Sequence, residues 1–298
     1  MKLVCVIFAT FSLALLLNSA PVAAQDVPKD YQEVLTFLGR TGDFKAKVLK
    51  INVPRNDLHV TIAGQSTPTP FGFGGWVAMT KGDNGGEVLM GDLVLTQDEV
   101  NPVMSALLEH AIEVTALHNH FFFEEPRLFY MHVHGHGEAM DLARSVKPAL
   151  DLIPRPLATP SSGPATTPAG PAFNLAALDN IVGNKGEALG SVYKFTLGRD
   201  DLNLKEHGAP INARMGLNSW AAFAGDEADA QIAGDIAMRE TEVTPVLKAL
   251  RSHKLNVVAI HHHMLGTQPT VIFLHYWGRG PAEELAVAFR AALDVLRK

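Results

Sequence analysis

Apolar positions in this chain change their period several times, and the order of those changes then recurs. Residues 31–38 carry a helical pattern, while 47–53, 58–63, 75–79 and 87–95 are β-rich runs separated by Gly, Pro and Asn-Asp turns. Thr96 and Glu99 have the spacing of a capping box, ahead of a helix reaching Glu109 with Val103, Leu107 and Leu108 as its apolar stripe. Residues 112–121 and 128–134 read as a β-hairpin around Glu124-Glu125-Pro126. Gly135 and Gly137 are expected to end the second strand before a helix over 138–150.

The recurrence is a duplication. Residues 99–142 align without a gap on 242–285, and 17 of the 44 aligned positions are identical. Upstream, Val48-Leu49-Lys50-Ile51 matches Val192-Tyr193-Lys194-Phe195, Arg55-Asn56-Asp57-Leu58 matches Arg199-Asp200-Asp201-Leu202, and Trp76 matches Trp220, one residue out of step with the first offset. A repeat of this length is a domain-sized unit rather than a solenoid turn. The predicted class is α+β: two tandem homologous units of mainly antiparallel sheet with flanking helices, over 25–152 and 174–298. Residues 153–173, rich in Pro, Ala, Thr, Ser and Gly, read as a linker.

The first 24 residues read as a secretory signal: Lys2, an apolar run from Leu3 to Leu17, and a small-residue cleavage site ending at Ala24. That run is shorter than the roughly 20 residues a spanning helix needs, so no transmembrane segment is expected after cleavage. The expected location is periplasmic or secreted. The only cysteine, Cys5, lies inside this leader and outside any lipobox context, so the mature chain is expected to hold together by packing without a disulfide. A net charge of −6 gives no electrostatic footprint for nucleic acid.

Histidines carry the candidate chemistry. His118, His120 and His132 recur as His261, His263 and His275, although a duplicated fold has no general reason to keep an H-x-H pair and a third histidine downstream. On a strand, residues two apart share a face, so His118 and His120 point one way, as do His132 and His134 opposite them. If 118 pairs with 132 the two faces coincide, and a one-residue slip would separate them. Converging imidazoles without thiolates suit a divalent transition metal such as Zn, Cu, Fe or Ni. The first unit has the richer set, because His134 and His136 become Trp277 and Arg279, and Glu124 and Glu125, candidates for a catalytic base, become Thr267 and Gln268.

Other recurring residues have ordinary explanations. His110 and His253 end helices, where a cation complements the dipole. Asp92 and Asp235 are expected at turns or strand edges, or orienting an imidazole. Trp76, Trp220, Met131 and Met264 are expected in the core, and His59 and His207 have no constellation around them. No G-x-S-x-G elbow, H-E-x-x-H or P-loop is present, and Gly72-x-Gly74-Gly75 lacks the context of a dinucleotide site.

Gly91-Asp92-Leu93, Glu99-Val100-Asn101-Pro102-Val103, Ala116-Leu117-His118-Asn119-His120, Glu125-Pro126-Arg127 and His132-Val133-His134-Gly135-His136-Gly137 resemble the LppY/LpqO lipoprotein-like family of bacterial exported proteins. The resemblance covers both units and implies an exported protein with a domain of unknown function; this chain departs from the lipoprotein name in lacking a lipobox cysteine. Three functions fit the residues: metal or small-ligand binding for handling or sensing, a metal-dependent hydrolase or oxygenase, and a metal-free interaction protein with a buried histidine network. Mass spectrometry of the exported protein is expected to give a mature N-terminus at Gln25; a retained leader would contradict the reading of residues 1–24 as a signal.

Overall fold

The computed structural model describes residues 26–83, 85–155 and 170–296. The predicted leader with Cys5 lies outside these residues, as does most of the predicted linker. The first unit runs α1 (Lys29–Leu38), β1 (Gly42–Lys45), β2 (Val48–Pro54), β3 (Val60–Ile62), β4 (Gln65–Thr67), β5 (Gly74–Lys81), β6 (Glu87–Thr96), α2 (Gln97–Glu109), β7 (Glu113–His118), β8 (Glu124–Glu125), β9 (Leu128–Gly137) and α3 (Ala139–Leu152). The second runs α4 (Leu175–Val182), β10 (Glu187–Leu189), β11 (Val192–Gly198), β12 (Lys205–Glu206), β13 (Ala209–Pro210), β14 (Asn218–Gly225), β15 (Ala230–Arg239), α5 (Glu240–Ser252), β16 (Asn256–His261), β17 (Val271–Gly280) and α6 (Ala282–Val295). Each unit forms an antiparallel six-stranded sheet, in the order β1-β2-β5-β6-β9-β7 and β10-β11-β14-β15-β17-β16.

The two-residue period of the strands sorts side chains onto two faces with different partners. Leu49, Ile51, Val77, Met79, Leu89, Leu93, Met131 and Val133 pack against α1, α2 and α3, and Phe195, Phe223, Ile232, Ile236, Leu274 and Tyr276 pack against α4, α5 and α6. The opposite faces meet each other: Val48, Ala78, Val88 and Met90 share one cluster with Leu202, Leu217, Ala237 and Phe273, while Val94 and Tyr130 share another with Val192, Ala222, Ala233 and Trp277. The result is four layers, helix on sheet on sheet on helix, with the unit boundary running between the sheets.

Each unit also reaches across the boundary. The short 3-10 turn Thr69–Phe71 of the first unit lies on β11 and β14, and its counterpart Ala213–Met215 lies on β2 and β5. Arg214 pairs with Asp43 at 2.8 Å, and Gln231 donates to Gln65 at 3.1 Å. At the adjoining sheet edges the Thr115 hydroxyl donates to the His263 carbonyl at 2.8 Å.

One local expectation is met and two are corrected along α2 and β9. The Glu99 carboxylate accepts from the Thr96 N–H at 2.8 Å, completing the capping box. The buried stripe of α2 is Val100, Val103 and Leu107, while Leu108 is 58% exposed, because the helix presents its i, i+3, i+7 positions to the sheet. Gly135 does not end β9, which continues to Gly137 paired with Glu87. A Cβ at 135 would come within 2.9 Å of Ile112 and 3.0 Å of Leu142, so this glycine serves the close approach of α3 to the sheet.

The repeated Arg-x-Asp segments explain themselves as a structural clamp. Arg55 is 1% exposed and bonds Asp57, Glu99 and the Val94 carbonyl, tying the β2 end to β6 and the first turn of α2. Arg199 does the same with Asp201, Glu242 and Ala237. Removing one partner of such a buried pair strands the other charge. Arg199→Ala is expected to lower the unfolding free energy by about 3–5 kcal/mol in urea titration, with Arg199→Met/Glu242→Gln recovering much of it. Equal losses in the single and double variants would contradict the clamp.

Candidate metal centre between the two units

The strand register builds the site from the inner faces outward. Asn52, Trp76, Asp92, His132 and Ala116 are successive cross-strand partners over β2, β5, β6, β9 and β7. Thr196, Trp220, Asp235, His275 and Ala259 repeat this row in the second unit. His118 pairs with Tyr130 rather than with His132, two residues from the register that would place 118 opposite 132. A shift of two preserves the face, so His118 and His132 still converge. The small Ala116 and Ala259 leave room beside them.

The sequence expectation of a site held chiefly by the first unit is corrected here, because the two sheets pack face to face and their histidines interleave. His118 stacks on His261 with ring centroids 3.8 Å apart, His120 lies 3.6 Å from His275, and His132 lies 3.9 Å from His263. Exchanging the units maps the second of these contacts onto the third. The cluster therefore has an approximate two-fold axis through the His118–His261 pair. Outside it, Tyr130 stacks on His120 and Phe273 stacks on His263.

Three groups have ligating atoms all within 4.8 Å of one another: His118 with His120 and His275, His118 with His132 and His261, and Asp235 with His261 and His263. The first two draw on both units. His275 has its Nδ1 3.2 Å from the Gly234 carbonyl, and His132 has the matching contact to Gly91. Donation to these carbonyls fixes the Nδ1–H tautomer and leaves each Nε2 lone pair facing the cluster, the arrangement that orients a metal-binding imidazole. Asp235 accepts from the Leu274 N–H at 3.0 Å and places its other oxygen 3.4 Å from His263 Nε2.

Ten ring nitrogens of these six histidines are buried without a protein hydrogen-bond partner. At about 1–3 kcal/mol for each unsatisfied buried polar atom, the total cost would rival the stability of an ordinary domain. Packing alone gives no reason to keep such an arrangement. The donor set, all imidazole with a flanking carboxylate, fits a divalent transition metal.

Burial is the main cause of the electrostatics here, with repulsion between neighbouring imidazoles second. Together they hold His118 down to about 3, and His120, His132, His261 and His275 well below their usual range; burial alone accounts for most of the fall of His263 to about 3. Burial, reinforced by the charge of Asp235, pushes Asp92 up to about 7, and burial raises Asp235. Neutral imidazoles are the form that binds metal.

Other sequence candidates lie elsewhere. His134 turns to the carboxylates of Glu206, 3.0 Å away, and Glu113, 3.7 Å away, because it sits two residues farther along β9 than His132 and meets β12 rather than the histidines. His136 is exposed and stacks at 4.1 Å on His207, which therefore does have a constellation. Glu124 belongs to β8, which pairs with β3, and its carboxylate lies 3.6 Å from Arg127; Glu125 is exposed on that strand. Neither joins a ligand group with the histidines. Asp92 and Asp235 occupy central strands instead of turns.

Trp76 and Trp220 line the inter-sheet layer, and each carries a lysine over its ring: Lys50 at 4.4 Å and Lys194 at 4.3 Å. Sequence reasoning passed over these lysines. The signal was available in their recurrence within the β2 and β11 runs, where a charge alternates with residues of the buried face.

For the metal-free protein the sign of the pH dependence follows from the imidazoles. Each is charged below about 6.5 when unfolded and stays neutral in the fold, so the unfolded state binds more protons there and acidification favours it. The two raised aspartates act in the opposite sense, Asp92 between 3.8 and about 7, but they are two groups against six. Stability measured by urea unfolding is expected to fall from pH 6.5 towards pH 4 with uptake of more than one proton. A flat profile would contradict the neutral cluster.

Among the described residues no helix is long and apolar enough to cross a membrane. Comparison with curated proteins finds no match. Among solved structures, the chain has 14% identity and a TM-score of 0.21 to EtuB from Clostridium kluyveri, over 78% of this chain and 93% of that one. It has 13% identity and a TM-score of 0.20 to the trimeric bacterial microcompartment shell protein PduB, over 84% and 86%. Likeness this loose leaves function to be argued from the site. Residues 32–152 and 176–295 each match one family model, and the chain belongs, as two tandem copies, to the family described as Domain of Unknown Function (DUF1259).

Proposed function

We propose that this protein binds a divalent transition metal between its two units, through histidines contributed by both. The observation that carries this reading is the pair of mixed ligand groups, His118/His120/His275 and His118/His132/His261, with their lone pairs confined in a buried layer. His132 and His275 are held from behind by backbone carbonyls, so the ligands are oriented before any ion arrives. A metal here would also fasten one unit to the other, making binding and stability one quantity. The leader of residues 1–24 and the resemblance to the LppY/LpqO lipoprotein-like group support an exported setting, periplasmic or secreted.

A catalytic reading, as a metal-dependent hydrolase or oxygenase, is favoured by one further observation. Asp92 keeps a buried carboxylate oxygen without a partner and is raised to about 7, which suits a group exchanging a proton near neutral pH. In that reading the metal, when bound, would supply Lewis acidity, and Asp92 rather than Glu124 or Glu125 would handle the proton.

Metal analysis of protein purified without an affinity tag tests the proposal. At least about one equivalent per chain is expected, removable by chelation with a fall in Tm. His118→Ala and His261→Ala, in different units, should each lose the metal, while His134→Ala and Glu124→Gln should keep it. Less than about 0.2 equivalents in the parent protein, with unchanged Tm on chelation, would overturn the reading.

A further inference from the structure

The inter-sheet layer holds two lysines that form no salt bridge among the described residues. Lys50 and Lys194 lie on the inner faces of β2 and β11 and point into the layer, each over its own indole. Among the described residues neither makes a salt bridge, whereas the buried Arg55 and Arg199 and the nearby Arg214 are each paired with a carboxylate. Burial, with repulsion from Lys194 and Arg214 and against the weaker pull of Asp92 and Asp43, brings Lys50 down to about 8. Burial alone brings Lys194 to about 8, against the pull of Asp92.

Charges without a paired counter-ion are costly in a protein interior. Two cation–π contacts offset only part of that cost, at roughly 0.5–2 kcal/mol each. The duplication has nevertheless kept both lysines and both tryptophans.

Position suggests what they are for. Along the two cross-strand rows, His132 and His275 are buried, Trp76 and Trp220 are partly exposed, and Asn52 and Thr196 are exposed. Exposure thus rises towards the β2 and β11 end of the layer, and the lysines and indoles lie between that exposed end and Asp92, Asp235 and the histidines. Asp92 and Asp235 stand between the indoles and the histidines along these rows.

We infer that Lys50 and Lys194 together hold the oxyanion group of a small ligand, a carboxylate or phosphate, at the mouth of the histidine cluster, between the indoles of Trp76 and Trp220. The anion contact stands on the lysines themselves. Only the contact of the ligand's far end with a metal rests on the proposed function above. A ligand spanning both would have a compact body and an anionic end, as small organic acids and phosphorylated metabolites do.

Calorimetric titration with oxalate and with inorganic phosphate, on metal-loaded and on chelated protein, tests this inference. Binding is expected with a Kd below about 1 mM for at least one probe, weakened tenfold or more by Lys50→Met or Lys194→Met. Methionine keeps an unbranched stem over the indole, and thermal unfolding reports whether each variant folds. Because an unpaired charge is removed, Tm should be unchanged or higher while binding is lost. Preference for oxalate over phosphate would assign the carboxylate class, and the reverse preference the phosphate class. Binding by chelated protein that depends on the lysines upholds the inference even if the metal reading fails. Folded lysine variants that bind either probe as the parent does, or a parent that binds neither below about 10 mM, would overturn it while leaving metal content untouched.

Discussion

The packing of two sheet faces against each other is the constraint on which the molecule depends. Either sheet alone would present Asn52, Trp76, Asp92 and His132, or their counterparts, as a solvated row on a half-covered sheet. Face to face, the rows become a buried polar layer flanked by apolar clusters to which both units contribute. Strand period and register decide everything in it. A slip of one residue between β6 and β9 would send His132 towards the helices and Met131 into the layer.

That layer is held in an electrostatic state that water would not allow. Imidazoles stay neutral, carboxyls are pushed towards protonation, and ammonium groups stand unpaired. Such groups weaken the fold unless something compensates them, and the Arg55 and Arg199 clamps show how this chain compensates buried charge when only structure is at stake. The contrast separates the clamps, which are satisfied within each unit, from the central layer, whose unsatisfied groups all face the same space. A cation among the histidines and an anion at the lysines would resolve both ends of it.

Much of the fold was legible in the sequence because duplication doubled each signal. The capping box at Thr96, the hairpin around Glu124 and the antiparallel character follow from local spacing. The convergence of His118 and His132 was legible only up to parity, since face depends on whether the shift is even and not on its size. Pairing between units was not legible. Nothing local in Ala116-Leu117-His118 states that its partner is His261, 143 positions away, because that contact is made by a sheet face and not by a strand neighbour. For the same reason His134 looked like a ligand until β12 was seen to bring Glu206 to it, and Gly135 looked like a strand end until α3 was seen to need its missing Cβ.

The central claim is that one centre is built from two units. Anomalous diffraction from crystals of metal-loaded protein tests it most directly. The account predicts a peak between the β7 and β16 edges, coordinated by imidazole nitrogens of His118 together with His261 or His275. A peak bound by histidines of one unit alone, or one beside His134 and Glu206, would contradict it.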